Sequence, residues 1–296
     1  MRKHNIDLAE TSATTEKTDI KDMVERYAAH LRAKERAEET VKKYIRDIGD
    51  LSKFLGGKKI TKEAALEWKS KLRETRAAVS VNSMLAAVNG FFEWCELDIK
   101  IKPYKIQRQT FLLEKKELCR EEYERLLAAA TAQKNERLFY VMETLCATGI
   151  RVGELSCITV EAAKAGQAEI VGKGKTRTAF IANDLREALL GYAKRQGIKS
   201  GHIFVTKSGK PLNRSNIWAE MKKLCKAARI NPSKVFPHNL RALFSRVFYS
   251  ANKDLAKLAD MLGHSSVETT RLYIMESGAQ HRKAVENLGL ARMRYT

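Results

Sequence analysis

The chain has 296 residues, a length at which two domains are expected, and 44% of them are hydrophobic, enough for a sizeable core. Lysine and arginine number 55 against 35 acidic residues, and the resulting formal charge of +20 favours a polyanionic partner, nucleic acid first, over an acidic small substrate. No apolar run approaches the roughly 18 residues of a membrane span, and the opening MRKHNIDLAE has no signal-peptide core, so a cytoplasmic protein without membrane attachment is expected.

Residues 1–18 are polar, threonine-rich and without period, which predicts a flexible arm. Helical spacing begins after them. Ile20, Met23, Val24, Tyr27 and Leu31 mark a first helix, and Val41, Tyr44, Ile45, Ile48, Leu51 and Phe54 a second, capped by Thr40 and closed by Gly56 and Gly57. A third is expected from Thr61 to Leu72. A fourth runs from Ser80 through Met84, Leu85, Val88, Phe91 and Phe92 to Trp94, and its large apolar groups can hold a small bundle together. These four predict an all-helical domain over residues 19–97. Its polar positions include Lys42, Lys43, Arg46, Lys69, Lys71, Arg73 and Arg76, either a solvated face or contacts to a DNA backbone, and the overall charge favours the second. Asp98 to Thr110 lacks helical period and sets Pro103 among Lys100, Lys102 and Lys105, so residues 98–110 read as an extended interdomain linker lying along phosphates.

Residues 111–296 form the second expected domain, opening with helices over Glu121–Ala130 and Glu136–Cys146. Thr148 and Gly149 break the second, and Arg151 opens another helix with Glu154 one turn away. Such a pair is by default a supporting ion pair; the alternative is an arginine whose planar fork Glu154 orients to grip a phosphate. The stretch AEIVGKGKTRTAFI predicts a β-hairpin of Glu169–Val171 and Thr176–Ile181 with Lys173 at its tip, either solvated or placed to deliver a proton. A nucleotide-binding P-loop is excluded, because one residue too many separates Gly166 from Gly172 and Gly174 stands where serine or threonine is needed. Asp184–Arg195 and Arg214–Arg229 are amphipathic helices, with a short strand Ile203–Val205 and a Ser208–Gly209 turn between them. Cys95, Cys119, Cys146, Cys157 and Cys225 form no CxxC pair and read as reduced packing residues. Without HExxH or clustered carboxylates no metal site or cofactor is expected.

The densest stretch is Pro237 to Tyr273. Pro237 suits the first turn of a helix, placing His238 and Arg241 on one face. Leu255, Ala256, Leu258, Ala259 and Leu262 form a further helix stopped by Gly263, so His264 sits in a turn. Ser265 with Glu268 then suggests a capping box for a last helix carrying Tyr273 about two turns in. A helix-turn-helix with phosphate-touching side chains accounts for this stretch equally well when its residues are taken singly.

Taken together the motifs resemble the tyrosine recombinases, the phage-integrase and Xer-like family. Thr148-Gly149-Ile150-Arg151-Val152-Gly153-Glu154-Leu155 is similar to its TG-hydrophobic-Arg-x-x-Glu-Leu box, Gly172-Lys173-Gly174 to its GKG, His238-Asn239-Leu240-Arg241 to its HxLR, and Leu262-Gly263-His264 to its LGH ahead of Tyr273. Ala242-Leu243-Phe244 departs from the frequent His-Thr-Phe, and Ile274 from the frequent Thr or Ser after the tyrosine. The resemblance implies a mainly α protein with a small β-hairpin, a helical core-binding domain and a catalytic domain closing as a C-shaped clamp on double-stranded DNA. It implies Tyr273 as nucleophile, Arg151 and Arg241 as phosphate clamps, His238 assisting proton transfer, Lys173 protonating the leaving oxygen and His264 bonding the phosphate. It also implies a homotetramer on two recombination sites, metal- and ATP-independent, with a short helix over Ala279–Leu290 that docks on a neighbour or on its own domain. The 18 residues before the helical domain are too few for a separate arm-binding domain, which predicts a resolvase or the integrase of a simple mobile element. A type IB topoisomerase and a non-enzymatic helix-turn-helix protein remain the rival functions.

Overall fold

The computed structural model describes residues 20–106, 117–172, 175–206, 208–274 and 278–290. Two compact units divide the chain, Met1–Arg108 and Gln109–Thr296.

The first unit consists of helices α1 (Ile20–Ala33), α2 (Glu38–Leu55), α3 (Lys62–Thr75) and α4 (Ala78–Trp94). Their apolar faces meet in one core of Tyr27, Ile48, Leu51, Trp68, Leu85, Phe91 and Phe92, where burial of each large side chain contributes roughly 1.5–3 kcal/mol. Trp68 satisfies its buried indole N–H by donating to Asp50 Oδ1 at 3.1 Å. Thr61 caps α3, accepting from Ala64 N at 3.2 Å, and Gly56, at φ +57°, closes α2. Thr40 does not cap α2, which starts earlier, after Ala37. No side chain caps that end; Glu38 and Glu39 place negative charge in the first turn, where the helix dipole favours it.

The segment expected to be a linker is instead held against the first unit over its described part. Ile101 is 1% exposed within the core, and the Asn89 side chain both donates to Ile101 O and accepts from Ile101 N, each at 2.9 Å. Asn82, two turns earlier on α4, does the same for Tyr104 at 2.9 and 2.8 Å. These asparagines imitate the edge of a neighbouring strand, so the extended chain keeps its backbone groups paired without entering a sheet. Residues 107–110 of that expected linker, like the expected arm at 1–18, lie outside the described residues.

The second unit contains α5 (Arg120–Ala132), α6 (Glu136–Thr148), a 3-10 turn (Val152–Cys157), α7 (Val160–Ala165), strands β1 (Gln167–Gly172) and β2 (Lys175–Phe180), then α8 (Asn183–Arg195), α9 (Arg214–Ala228), α10 (Pro237–Asn252), α11 (Leu255–Leu262), α12 (Val267–Arg271) and α13 (Gly278–Asn287). Its core joins Leu126, Leu138, Met142, Leu145, Ile158, Leu189, Met221, Val235 and Leu240. β1 and β2 pair antiparallel, with Ala168 opposite Ala179 and Ile170 opposite Arg177. Ile203–Val205 forms no strand. Isolated bridges, Thr159 with His202 and Val205 with Pro211, flank a segment whose Ile203 and Phe204 are buried, so its apolar run is core loop. Cys119 is exposed at the start of α5, not a packing residue, whereas Cys225 is buried.

α10 lies against α6, and this packing brings Phe244 onto Gly149. Gly149 ends α6 at φ +64°, and an added Cβ would collide with the Phe244 ring, so both backbone conformation and space call for glycine.

Candidate active site

Three chain breaks in helical structure face one another: the end of α6, the start of α10 and the turn after α11. Pro237 sits in the first turn of α10, where its missing N–H leaves nothing unpaired, and the helix then presents His238 and Arg241. Arg241 is 1% exposed. It donates from Nη1 to Gly149 O at 2.6 Å and from Nη2 to Leu262 O at 2.7 Å, and its Nη2 also lies 2.9 Å from His264 Nε2. One guanidinium thus bridges the ends of α6 and α11. Its Nε, also buried, finds no hydrogen-bond partner among the described residues, an orphan donor of the kind an anion satisfies. Burial, and next the Arg151 charge, push Arg241 down to about 10, opposed by Tyr273.

Gly263 closes α11 at φ +64°, and His264 N donates back to Ala259 O at 3.0 Å, the pattern of a glycine-terminated helix. The His264 ring is fixed at both nitrogens. Because a guanidinium only donates, Nε2 accepts from Arg241, and Nδ1 carries the proton given to buried Thr270 Oγ1 at 2.7 Å. A neutral imidazole is required, and burial followed by the Arg241, Arg151 and Arg177 charges holds His264 at about 4. With both nitrogens engaged in the DNA-free protein, His264 orients Arg241.

Tyr273 is not two turns into a helix. α12 begins after Ser266, whose side chain makes no cap bond, rather than after Ser265, and ends at Arg271, leaving Tyr273 in the following turn with its N–H on Thr270 O at 3.0 Å. Its ring stacks on His264 (centroids 5.5 Å apart, planes 8° apart) and tilts against His238 at 5.2 Å. Burial, then Arg241 and Arg151, lower the His238 pKa below its ordinary value.

Arg151 stands at the N-cap of the 3-10 turn. Its N–H donates to Glu154 Oε2 at 2.7 Å and its Nη1 to Oε1 at 2.9 Å, so Glu154 fixes both backbone and guanidinium. The Arg151 side chain remains 47% exposed, while its charge is felt by His238, Arg241 and His264. Lys173, at the hairpin tip, lies outside the described residues. Sequence reasoning missed Arg177. Its side chain is 11% exposed and donates to Glu154 Oε2 at 2.6 Å and Met261 O at 2.9 Å. The available signal was its place in the hairpin, where strand alternation puts it on the same face as Ala179.

The first-unit cations divide. Lys42 pairs with Glu39 at 3.1 Å, while Lys43 and Arg46 both reach the buried Asp47 carboxylate, at 2.6 and 3.2 Å. Lys43 and Arg46 thus neutralise a buried carboxylate, while the Lys42 pair lies on the surface. Lys100, Lys102 and Lys105 are exposed on the segment clamped to α4, beside Lys69, which lies 4.2 Å over the Tyr104 ring. Among the described residues no group of three His, Cys, Asp or Glu is placed to hold a metal ion, and no helix is long and apolar enough to cross a membrane.

Comparison with known proteins matches this architecture at both units. The phage integrase family model covers residues 116–279, and the phage integrase N-terminal SAM-like domain covers residues 24–97. Tyrosine recombinase XerA of Pyrococcus furiosus is 28% identical over 285 residues, covering 93% of this chain and 96% of its own length. Tyrosine recombinase XerD of Halalkalibacterium halodurans is 29% identical, covering 79% of this chain and 83% of its own. A structure of lambda integrase residues 75–356 bound as a dimer to a COC' core site shares the fold with a TM-score of 0.70 at 18% identity, covering 87% of this chain and 96% of that one. XerH bound to its difH substrate gives 0.66 at 17% identity, covering 93% and 90%. The chain accordingly belongs to the tyrosine recombinases of the phage integrase family.

Proposed function

We propose that the protein cleaves and rejoins specific duplex DNA sites through a 3′-phosphotyrosyl intermediate on Tyr273. The observation that carries this reading is the Tyr273 ring packed against two histidines beside a buried arginine whose Nε–H has no hydrogen-bond partner among the described residues. A tyrosine hydroxyl is a weak nucleophile at its ordinary pKa of about 10, so attack on a phosphodiester needs charge stabilisation and a proton acceptor. Arg241 and Arg151 stabilise the charge that grows on the non-bridging oxygens, each such contact being worth on the order of 3 kcal/mol. His238, kept neutral by burial and the adjacent guanidiniums, accepts the Tyr273 proton. The Tyr273 oxygen bonds to phosphorus, the bond to the 5′ oxygen breaks, and Lys173 protonates that oxygen. Religation reverses each step with a new 5′ hydroxyl. The phosphotyrosyl bond conserves the energy of the broken linkage, so ATP does not enter the balance, and the side chains named provide the charge stabilisation without a metal ion.

The enzyme works in the cytoplasm as a homotetramer on two sites, as integrase of a simple mobile element or as a resolvase of dimers. One supporting likeness is a lambda integrase tetramer bound to a Holliday junction, which shares this fold. Exposed Val285, Leu288 and Leu290 near the C-terminus support docking of α13 on a neighbouring subunit. The test is incubation with nicked suicide substrates bearing candidate sites, without divalent metal, read as a covalent protein–DNA band on a denaturing gel. Wild type yields the band and Tyr273→Phe binds DNA without it. A Tyr273→Phe protein that matches wild type in every DNA transaction would instead mark a non-catalytic DNA-binding protein.

A further inference from the structure

We propose that Arg177 is a positioning residue that locks the β-hairpin, Glu154 and the Gly263 turn into one unit, so that Arg151 and the Arg241–His264 pair keep their places around Tyr273. The inference rests on the recombinase reading and adds to it a residue outside the motifs that pointed there.

Arg177 lies on the hairpin face shared by buried Ala168, Ile170 and Ala179, an unfavourable place for a cation unless its bonds are made. They are made in two directions. Nη2 donates to Glu154 Oε2 at 2.6 Å, the same oxygen that accepts from Arg151 N, while Oε1 holds the Arg151 guanidinium. The Glu154 carboxylate is therefore shared by two arginines and set by both. Nη1 donates to Met261 O at 2.9 Å, and the next carbonyl, Leu262 O, accepts from Arg241. Successive carbonyls at the end of α11 are thus held by arginines from different elements, β2 and α10, where the helix dipole favours positive charge. Contact is tight enough to dictate sequence. A Cβ on Gly263 would collide with Arg177 Cδ and come within 2.7 Å of its Nε.

Loss of Arg177 leaves Glu154 anchored by Arg151 alone and frees the turn that carries His264. Misplacement of catalytic groups by about 1 Å is enough to slow a reaction about a hundredfold. DNA affinity, spread over many phosphate contacts, changes little.

The experiment compares wild type, Arg177→Met and Arg177→Lys in three measurements: thermal melting, duplex affinity, and the single-turnover rate of covalent complex formation. Arg177→Met is expected to keep affinity within about threefold while cleavage falls about a hundredfold. Arg177→Lys should lie between, because an ammonium reaches Glu154 or Met261 O but does not span both. On the free protein, the His264 ring, which faces Arg241, Arg151, Arg177 and His238, should titrate near 4 in wild type and higher in Arg177→Met, with Arg177→Lys left near wild type. Wild-type cleavage rates in Arg177→Met overturn the proposal, as does a loss of rate matched by equal losses of affinity and melting temperature. An unmoved His264 titration also overturns it. Absence of a Tyr273-dependent band in wild type bears on the recombinase reading instead.

Discussion

Arg241 is tied to the protein through both terminal nitrogens, which is why lysine cannot replace it. An ammonium is a point charge that reaches one acceptor, whereas the guanidinium spans Gly149 O, Leu262 O and His264 Nε2. Arg241→Lys is expected to lower single-turnover cleavage by roughly 10²–10³-fold. Denaturant melts should show a loss of about 1–3 kcal/mol for the buried carbonyl left unmatched. His264 makes a second prediction, about pH. Its folded pKa, about 4, lies below the ordinary 6.5, so the unfolded chain binds the proton more tightly. Its stabilising contribution is complete above about pH 6.5 and declines as pH falls toward 4, with the His238 shift acting in the same direction. Urea midpoints measured from pH 7 to 4 should fall, and His264→Gln, which does not titrate, should flatten part of that fall. A slope identical to wild type would refute the role. Arg151, His238, Arg241, His264 and Tyr273 could be singled out because their motifs have fixed spacing, while Lys173 lies outside the described residues. The neutral, doubly bonded state of His264 was not legible, since it depends on Thr270 and Arg241 arriving from separate elements.

At the scale of elements, long helices were readable from apolar spacing, as α4 shows with Val81, Met84, Leu85, Val88, Phe91 and Phe92 all buried. The hairpin was readable from two β-prone runs flanking a glycine-rich tip. Ile203–Val205 was misassigned because its apolar run is buried in a loop, where no neighbouring strand completes a ladder. Residues 98–110 were taken for a linker because the anchors of their described part are side chains of α4, invisible to any local pattern. Asn89→Ala should therefore destabilise the first unit by about 2–3 kcal/mol, since the part-buried N–H and C=O of Ile101 both lose the Asn89 side chain as partner. The same change in the exposed Asn252 should fall within about 0.5 kcal/mol of wild type. Gly149→Ala combines a left-handed φ with a clash on Phe244 and should cost about 1–3 kcal/mol. A melting temperature equal to wild type would mean that α6 and α10 separate at no cost.

Across the whole molecule, the charge of +20 makes binding a matter of ions as much as of bases. Duplex affinity followed by fluorescence anisotropy should fall by about 10³-fold or more between 50 and 200 mM salt, and a flat response would detach the charge from DNA binding. A chain ending at Ser277 tests the last helix: size-exclusion in the presence of DNA should show loss of assembly, and unchanged assembly would remove α13 from the interface. The asparagine clamp on α4 also fixes where this protein can be divided. A fragment stopped at Leu97, where helical spacing fades, would leave out Ile101 and open a hole in its own interior. Grafting this helical unit onto the second unit of a relative therefore requires carrying the chain through Ile106, with Asn82 and Asn89 travelling alongside the stretch they hold.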